Sequence, residues 1–129
     1  MLQLTAGQRI LLALEPADFR KGIDSLVALC KAKLDGDPFS GTVFAFTNRK
    51  RTAVKVLVFD GSGFWLIMKR FSKGKLSWWP EDKGETLKVR SEALQILLIQ
   101  GDPRFMHSPL PWRNIYQNAA PQAVAQATV

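Results

Sequence analysis

Residues 42–71 read TVFAFTNRKRTAVKVLVFDGSGFWLIMKRF, and this stretch decides the fold. Three runs within it, 42–47, 54–59 and 64–71, are rich in the β-branched and aromatic residues that suit strands. NRKRT separates the first two runs, and DGSG, a good hairpin turn, separates the last two. If DGSG closes the hairpin, Phe59 lies opposite Phe64, Leu57 opposite Leu66, Val58 opposite Trp65 and Val56 opposite Ile67. The stretch is therefore an antiparallel meander. Alternation predicts Phe44, Phe46, Val56, Val58, Trp65 and Ile67 on one face, and Val43, Ala45, Leu57, Phe59, Phe64, Leu66 and Met68 on the other. Both faces are apolar. One can take the helices; the other needs a second layer, another strand segment or a partner, so self-association into a homo-oligomer or a stable partner is expected.

Working outward, residues 9–14 read as a first short strand, ended by Glu15-Pro16. Asp18 is placed to cap a helix near 20–34, whose apolar positions Ile23, Leu26, Val27, Cys30 and Leu34 fall on one face. Gly36 and Pro38 stop it. After the meander, residues 76–80 read as the start of a further strand and 86–89 as a short strand. Ser91 then caps a second helix over 91–100, ended by Gly101 and Pro103. The expected architecture is α+β: a single domain over residues 1–115, an antiparallel meander sheet with two packed helices. Residues 116–129 are Ala/Gln-rich and uncharged and read as a flexible tail. A chain of 129 residues needs no metal or disulfide staple. Its single cysteine reads as a small buried hydrophobe. Lacking a basic leader with a cleavage site and any run of about 18 apolar residues, it is expected in the cytoplasm, away from membranes.

Charge is distributed unevenly. Residues 47–75 carry eight bases and one acid, Asp60, and so hold the equivalent of the whole formal charge of +7. The other residues carry ten bases and ten acids. A meander sends alternate turns to opposite ends of the sheet, so Arg49, Lys50, Arg51, Lys69, Arg70, Lys73 and Lys75 converge on one edge, with Asp60 about 20 Å away. Trp78 and Trp79 follow shortly. Bases beside aromatics suit phosphate contact with stacking. The competing readings are ordinary ones: basic loop tips are common, edge lysines discourage aggregation, and tryptophans are more often core than platform. Catalytic groups are scarce. His107 is the only histidine, no Gly-rich loop precedes a helix, and Asp18 and Asp24 read as a helix cap and a solvated acid. No enzyme activity, cofactor or metal site is expected.

The ordered set formed by Asp18 through Gly22 (DFRKG), Asp37 through Gly41 (DPFSG), Phe44 with Phe46, Arg49 to Arg51, Asp60 through Gly63, Lys69-Arg70 and Trp79-Pro80 is specific as a whole. Over roughly residues 5–113 it resembles the accessory protein encoded by the second reading frame of insertion sequences of the insertion sequence 66 type. Family members often end Trp-Arg-Pro, whereas here Trp112-Arg113 is followed by Asn114. The resemblance implies a part in DNA transposition beside a separate, larger transposase that carries the catalytic acids. Partners are then the transposase, other proteins of the element, and its DNA. Two readings stay open: direct DNA binding through the basic edge, or an adaptor whose basic edge meets an acidic transposase surface.

Overall fold

The structure is a computed structural model that describes residues 7–34, 37–81 and 83–105. Its strands are β1 (Ile10–Ala13), β2 (Val43–Thr47), β3 (Ala53–Phe59), β4 (Phe64–Arg70) and β5 (Thr86–Val89), with helices α1 (Ile23–Lys33) and α2 (Ser91–Leu98). They form one sheet in the order β4-β3-β2-β1-β5, an α+β arrangement. The β3–β4 hairpin has the expected register, Phe59 opposite Phe64 and Val56 opposite Ile67. Asp60 explains why. Its Oδ1 accepts the amides of Ser62 (2.9 Å) and Gly63 (3.0 Å), while Gly61 takes φ +101°.

The other hairpin is displaced by one residue from expectation. Phe44 pairs with Leu57 and Ala45 with Val56, so Phe44 and Phe46 share a face with Leu57, not with Val56 and Val58. The cause is the turn. Asn48 Oδ1 accepts the amides of Thr52 (2.9 Å) and Ala53 (3.3 Å), and Arg51 adopts a left-handed φ of 60°. Six residues then separate the paired Thr47 and Val54, and with a side-chain period of two a one-residue change exchanges the faces.

β1 pairs parallel with β2, α1 making the crossover, and antiparallel with β5, so the sheet is mixed. All four residues of β1 are buried, as suits a central strand covered on both sides. The helices do not share a face. Leu26, Cys30 and Leu34 of the α1 region pack with Leu11, Ala13, Phe44, Phe46 and Leu57. Ala93, Leu94 and Leu97 of α2 pack on the opposite side with Ile10, Leu12, Val43, Ala45, Val54 and Val56. Residues 76–80 are not a strand. They cross the α2 face as irregular chain, bury Leu76 and Trp79, and the Trp79 indole N–H donates to the carbonyl of Ala13 at 2.9 Å. Each face thus has its own cover, and among the described residues of the sheet the outer strand is the most open: Trp65 and Met68 of β4 are 58% and 53% exposed.

Both helix starts depart from the capping scheme. Gly22, not Asp18, precedes α1, and Arg90, not Ser91, precedes α2; neither gives a side-chain cap. Asp18 instead closes a turn, its carboxylate accepting the Arg20 amide at 3.0 Å. At the end of α2 it is Gln100 that takes the left-handed position (φ 65°), its amide bonded to Leu97 O and that of Gly101 to Ile96 O. Gly101 serves close packing, since a Cβ there would lie 2.7 Å from Ile96 Cγ2. Cys30 is buried, which pushes its thiol pKa up to about 12. Gly36, His107, the end of the proposed domain and the 116–129 tail lie outside the described residues.

Candidate nucleic-acid interface

Two backbone hydrogen bonds build the basic end of the sheet. The Phe71 amide donates to Thr52 O at 3.0 Å, and the Leu76 amide to Arg51 O at 2.8 Å. The loop after β4 therefore lies alongside the β2–β3 turn. Lys73 and Lys75 are brought beside Arg49, Lys50 and Arg51, with Lys69 and Arg70 at the end of β4.

The seven bases separate into two groups. Arg51 is half-buried and forms an ion pair with Glu81. Lys69 lies on the α2 side of β4, opposite Val54, and its Nζ donates to Leu98 O at 2.6 Å. A cation there meets the negative end of the α2 dipole. Arg70, next along the strand, is opposite Ala53 and projects to the α1 side. Arg49, Lys50, Arg70, Lys73 and Lys75 are exposed and make no ion pair with a described residue. These five are the positive charges that remain for a partner.

Gln100 organises the loop that carries two of them. From its left-handed position, Nε2 donates to Lys73 O (2.9 Å) and Lys75 O (3.1 Å), and its own carbonyl accepts the Ser77 hydroxyl. Nothing local in the sequence pointed to it, because its partners lie 27 and 25 residues away.

Beside the turn lies an open groove of about 900 Å³, lined by residues 16–20 and by Asn48, Arg49 and Lys50. Arg20 clamps Asp18 in it, Nε to Oδ1 at 3.0 Å and Nη2 to Oδ2 at 2.8 Å. That guanidinium holds the Asp18 carboxyl well below the usual range. The groove wall is fixed by Lys55, which is 7% exposed. Its Nζ donates to Phe19 O (2.8 Å) and Lys21 O (3.0 Å) and lies 4.9 Å from the centre of the Phe19 ring. Lys55 is thus a structural cation. Its place two residues from the inward-facing Leu57 was the available signal.

The tryptophans offer less than their position in the sequence promised. Trp79 is core. Trp78 is half-buried, with the Arg104 guanidinium 5.1 Å from its ring. At the far end Asp60 is held at about 2 by the Ser62 amide, the Trp65 indole and the Gly63 amide. Among the described residues, no group of His, Cys, Asp and Glu side chains could hold a metal ion, and no helix is long and apolar enough to cross a membrane.

Fold and charge together define a small mixed-sheet α+β domain with a cationic end. Residues 8–106 match the family described as IS66 Orf2 like protein, and the chain belongs to that family. Membership suggests an accessory role in transposition. Two similar proteins come from Sinorhizobium fredii (strain NBRC 101917 / NGR234). Uncharacterized protein y4jC is 34% identical over 98 residues, covering 76% of this chain and 83% of its own. Uncharacterized protein y4hO is 32% identical over 112 residues, covering 85% and 95%. No solved structure matches.

Proposed function

We propose that the protein is a non-catalytic accessory factor of insertion-sequence transposition that holds DNA by its phosphates and works with a separate transposase. The observation that supports this most is the convergence of Arg49, Lys50, Lys73 and Lys75 from two loops, with Arg70 beside them, all without an ion-pair partner among the described residues. Cations on flexible stems at a loop edge fit phosphates well and read base sequence poorly, so they set affinity and position.

The test is a titration of labelled duplex DNA at several salt concentrations. If about five side chains neutralise phosphates, log K falls against log salt with a slope near −4 to −5. Replacing Arg49, Lys50, Lys73 and Lys75 with Glu weakens binding and flattens that slope to about −1. Arg51 and Lys69 are left intact, because each already holds a contact within the fold. Failure of the native protein to bind DNA at low salt would reject this reading and assign the same end to an acidic transposase surface.

A further inference from the structure

The two borders of the sheet differ. β5 has four residues, with the exposed Lys88 among them. β4 has seven, and its only charges, Lys69 and Arg70, sit at one end. A long apolar edge strand with so little protection is a template for pairing.

The hydrogen-bond parity of β4 can be read directly. The Asp60 amide donates to Gly63 O and the Phe71 amide to Thr52 O, so residues opposite at these two positions are hydrogen-bonded pairs. Alternation then assigns Trp65, Ile67 and Lys69 to bonds with β3. The N–H and C=O groups of Phe64, Leu66, Met68 and Arg70 turn outward, and none has a backbone partner among the described residues.

We propose that β4 is a homodimer interface, pairing antiparallel with β4 of a second copy across a two-fold axis at Ile67. This goes beyond the DNA reading and does not depend on it. In this register Leu66 faces Met68 of the other copy and Phe64 faces its Arg70, all of them outward-turning residues, so about eight hydrogen bonds form and the whole strand is used. Ile67 meets its own counterpart, and Trp65 meets Lys69 of the other copy, in the closer, non-hydrogen-bonded positions. The side chains agree with the backbone. Apolar residues fill the centre, and at each end a cationic stem lies against an aromatic ring. Charge selects the orientation. Asp60, bonded to the Trp65 indole at 2.7 Å, stands at the end of the strand that receives Lys69 and Arg70 of the second copy. A parallel arrangement would stack Lys69 and Arg70 on their own copies. The antiparallel one joins the sheets into one and leaves the basic ends of the two copies at opposite borders.

The experiment is sedimentation of the full chain, with three variants. Met68→Pro deletes an outward N–H that the monomer does not use, so it should sediment as a monomer with an unchanged circular dichroism spectrum. Ile67→Cys brings two thiols together across Cα atoms about 4.5 Å apart and should cross-link under mild oxidation. Trp65→Cys faces a different residue and should not cross-link, and the native Cys30 is buried. A native chain that stays monomeric at sub-millimolar concentration would overturn the proposal. So would a dimer untouched by Met68→Pro, or equal cross-linking at positions 65 and 67. A monomer whose Leu66 and Met68 amides resist hydrogen exchange would overturn it too, assigning the edge to residues 106–129.

Discussion

At the β3–β4 end of the meander one carboxylate does the closing: Asp60 takes the amides of Ser62 and Gly63 and the indole of Trp65, all within five residues. At the opposite end Asn48 closes the β2–β3 turn as locally, through the amides of Thr52 and Ala53, but the bases gathered around that turn are tied in from a distance. Arg51 reaches Glu81, 30 residues on; Lys69 reaches Leu98, 29 on; Gln100 reaches back to Lys73 and Lys75. The acidic end spends its charge locally and is complete without the rest of the chain. The basic end is assembled by packing, which engages two of its cations and leaves five without a side-chain partner among the described residues. A surface charge count therefore overstates what a partner meets, and only long-range contacts show by how much.

The comparison predicts larger losses from the long-range end. Trp79→Ala removes a buried indole that anchors the segment after the basic loop, and should cost about 3–5 kcal/mol in urea denaturation. A loss no greater than that of Asp60→Asn would erase the distinction between the two ends. Lys55→Met leaves the carbonyls of Phe19 and Lys21 without their charged donor, and should cost about 2–3 kcal/mol. Trypsin should then cut faster at Arg20 or Lys21, and unchanged stability with unchanged digestion would show that the groove wall stands without Lys55.

Smaller effects sharpen the contrast. Gln100→Gly keeps the left-handed position but loses two side-chain bonds, for about 1 kcal/mol, and the amides of residues 73–75 should exchange faster. Gln100→Ala loses the same bonds and keeps the backbone strain, adding about another 1 kcal/mol. Equal stability of the two variants would place the strain elsewhere. The least effect belongs to Asp60. Its folded pKa, about 2, lies below the usual 3.8, so the ionised form favours the folded state above pH 3.8 and that contribution is lost as pH falls through about 2. Native protein should exceed Asp60→Asn in stability near pH 6, with the gap closing below pH 4. A gap that persists in acid would mean that the substitution breaks the turn for a reason other than charge.

How much could be read beforehand follows the same division. The β3–β4 register was legible to the residue because DGSG offers one compact turn and the strands on each side alternate cleanly. The β2–β3 register was not, because the NRKRT loop admits connections of either parity. The side-chain carbonyl of Asn48 and the left-handed Arg51 select between them. The convergence of the two basic segments was legible from meander geometry alone. Which of the seven bases are held within the fold was not, and neither was the role of Lys55, whose two carbonyl partners lie 36 and 34 residues before it.

By itself the sequence determined the five strands of the sheet, though it also suggested a strand at 76–80 that does not form, the two helical stretches, the tight turn at Asp60 and the segment that holds the charge. These depend on side-chain period and on bonds between near neighbours, which act whatever the rest of the chain does. Tertiary structure alone decided that β1 enters beside β2 in parallel, that each helix takes its own face, and that Arg51 and Lys69 find Glu81 and the Leu98 carbonyl while Arg49, Lys50, Arg70, Lys73 and Lys75 keep no side-chain partner among the described residues. The physical reason is that a cation's partner is a carboxylate or a carbonyl brought up by a distant segment, and its position exists only after the two faces of the sheet have been covered.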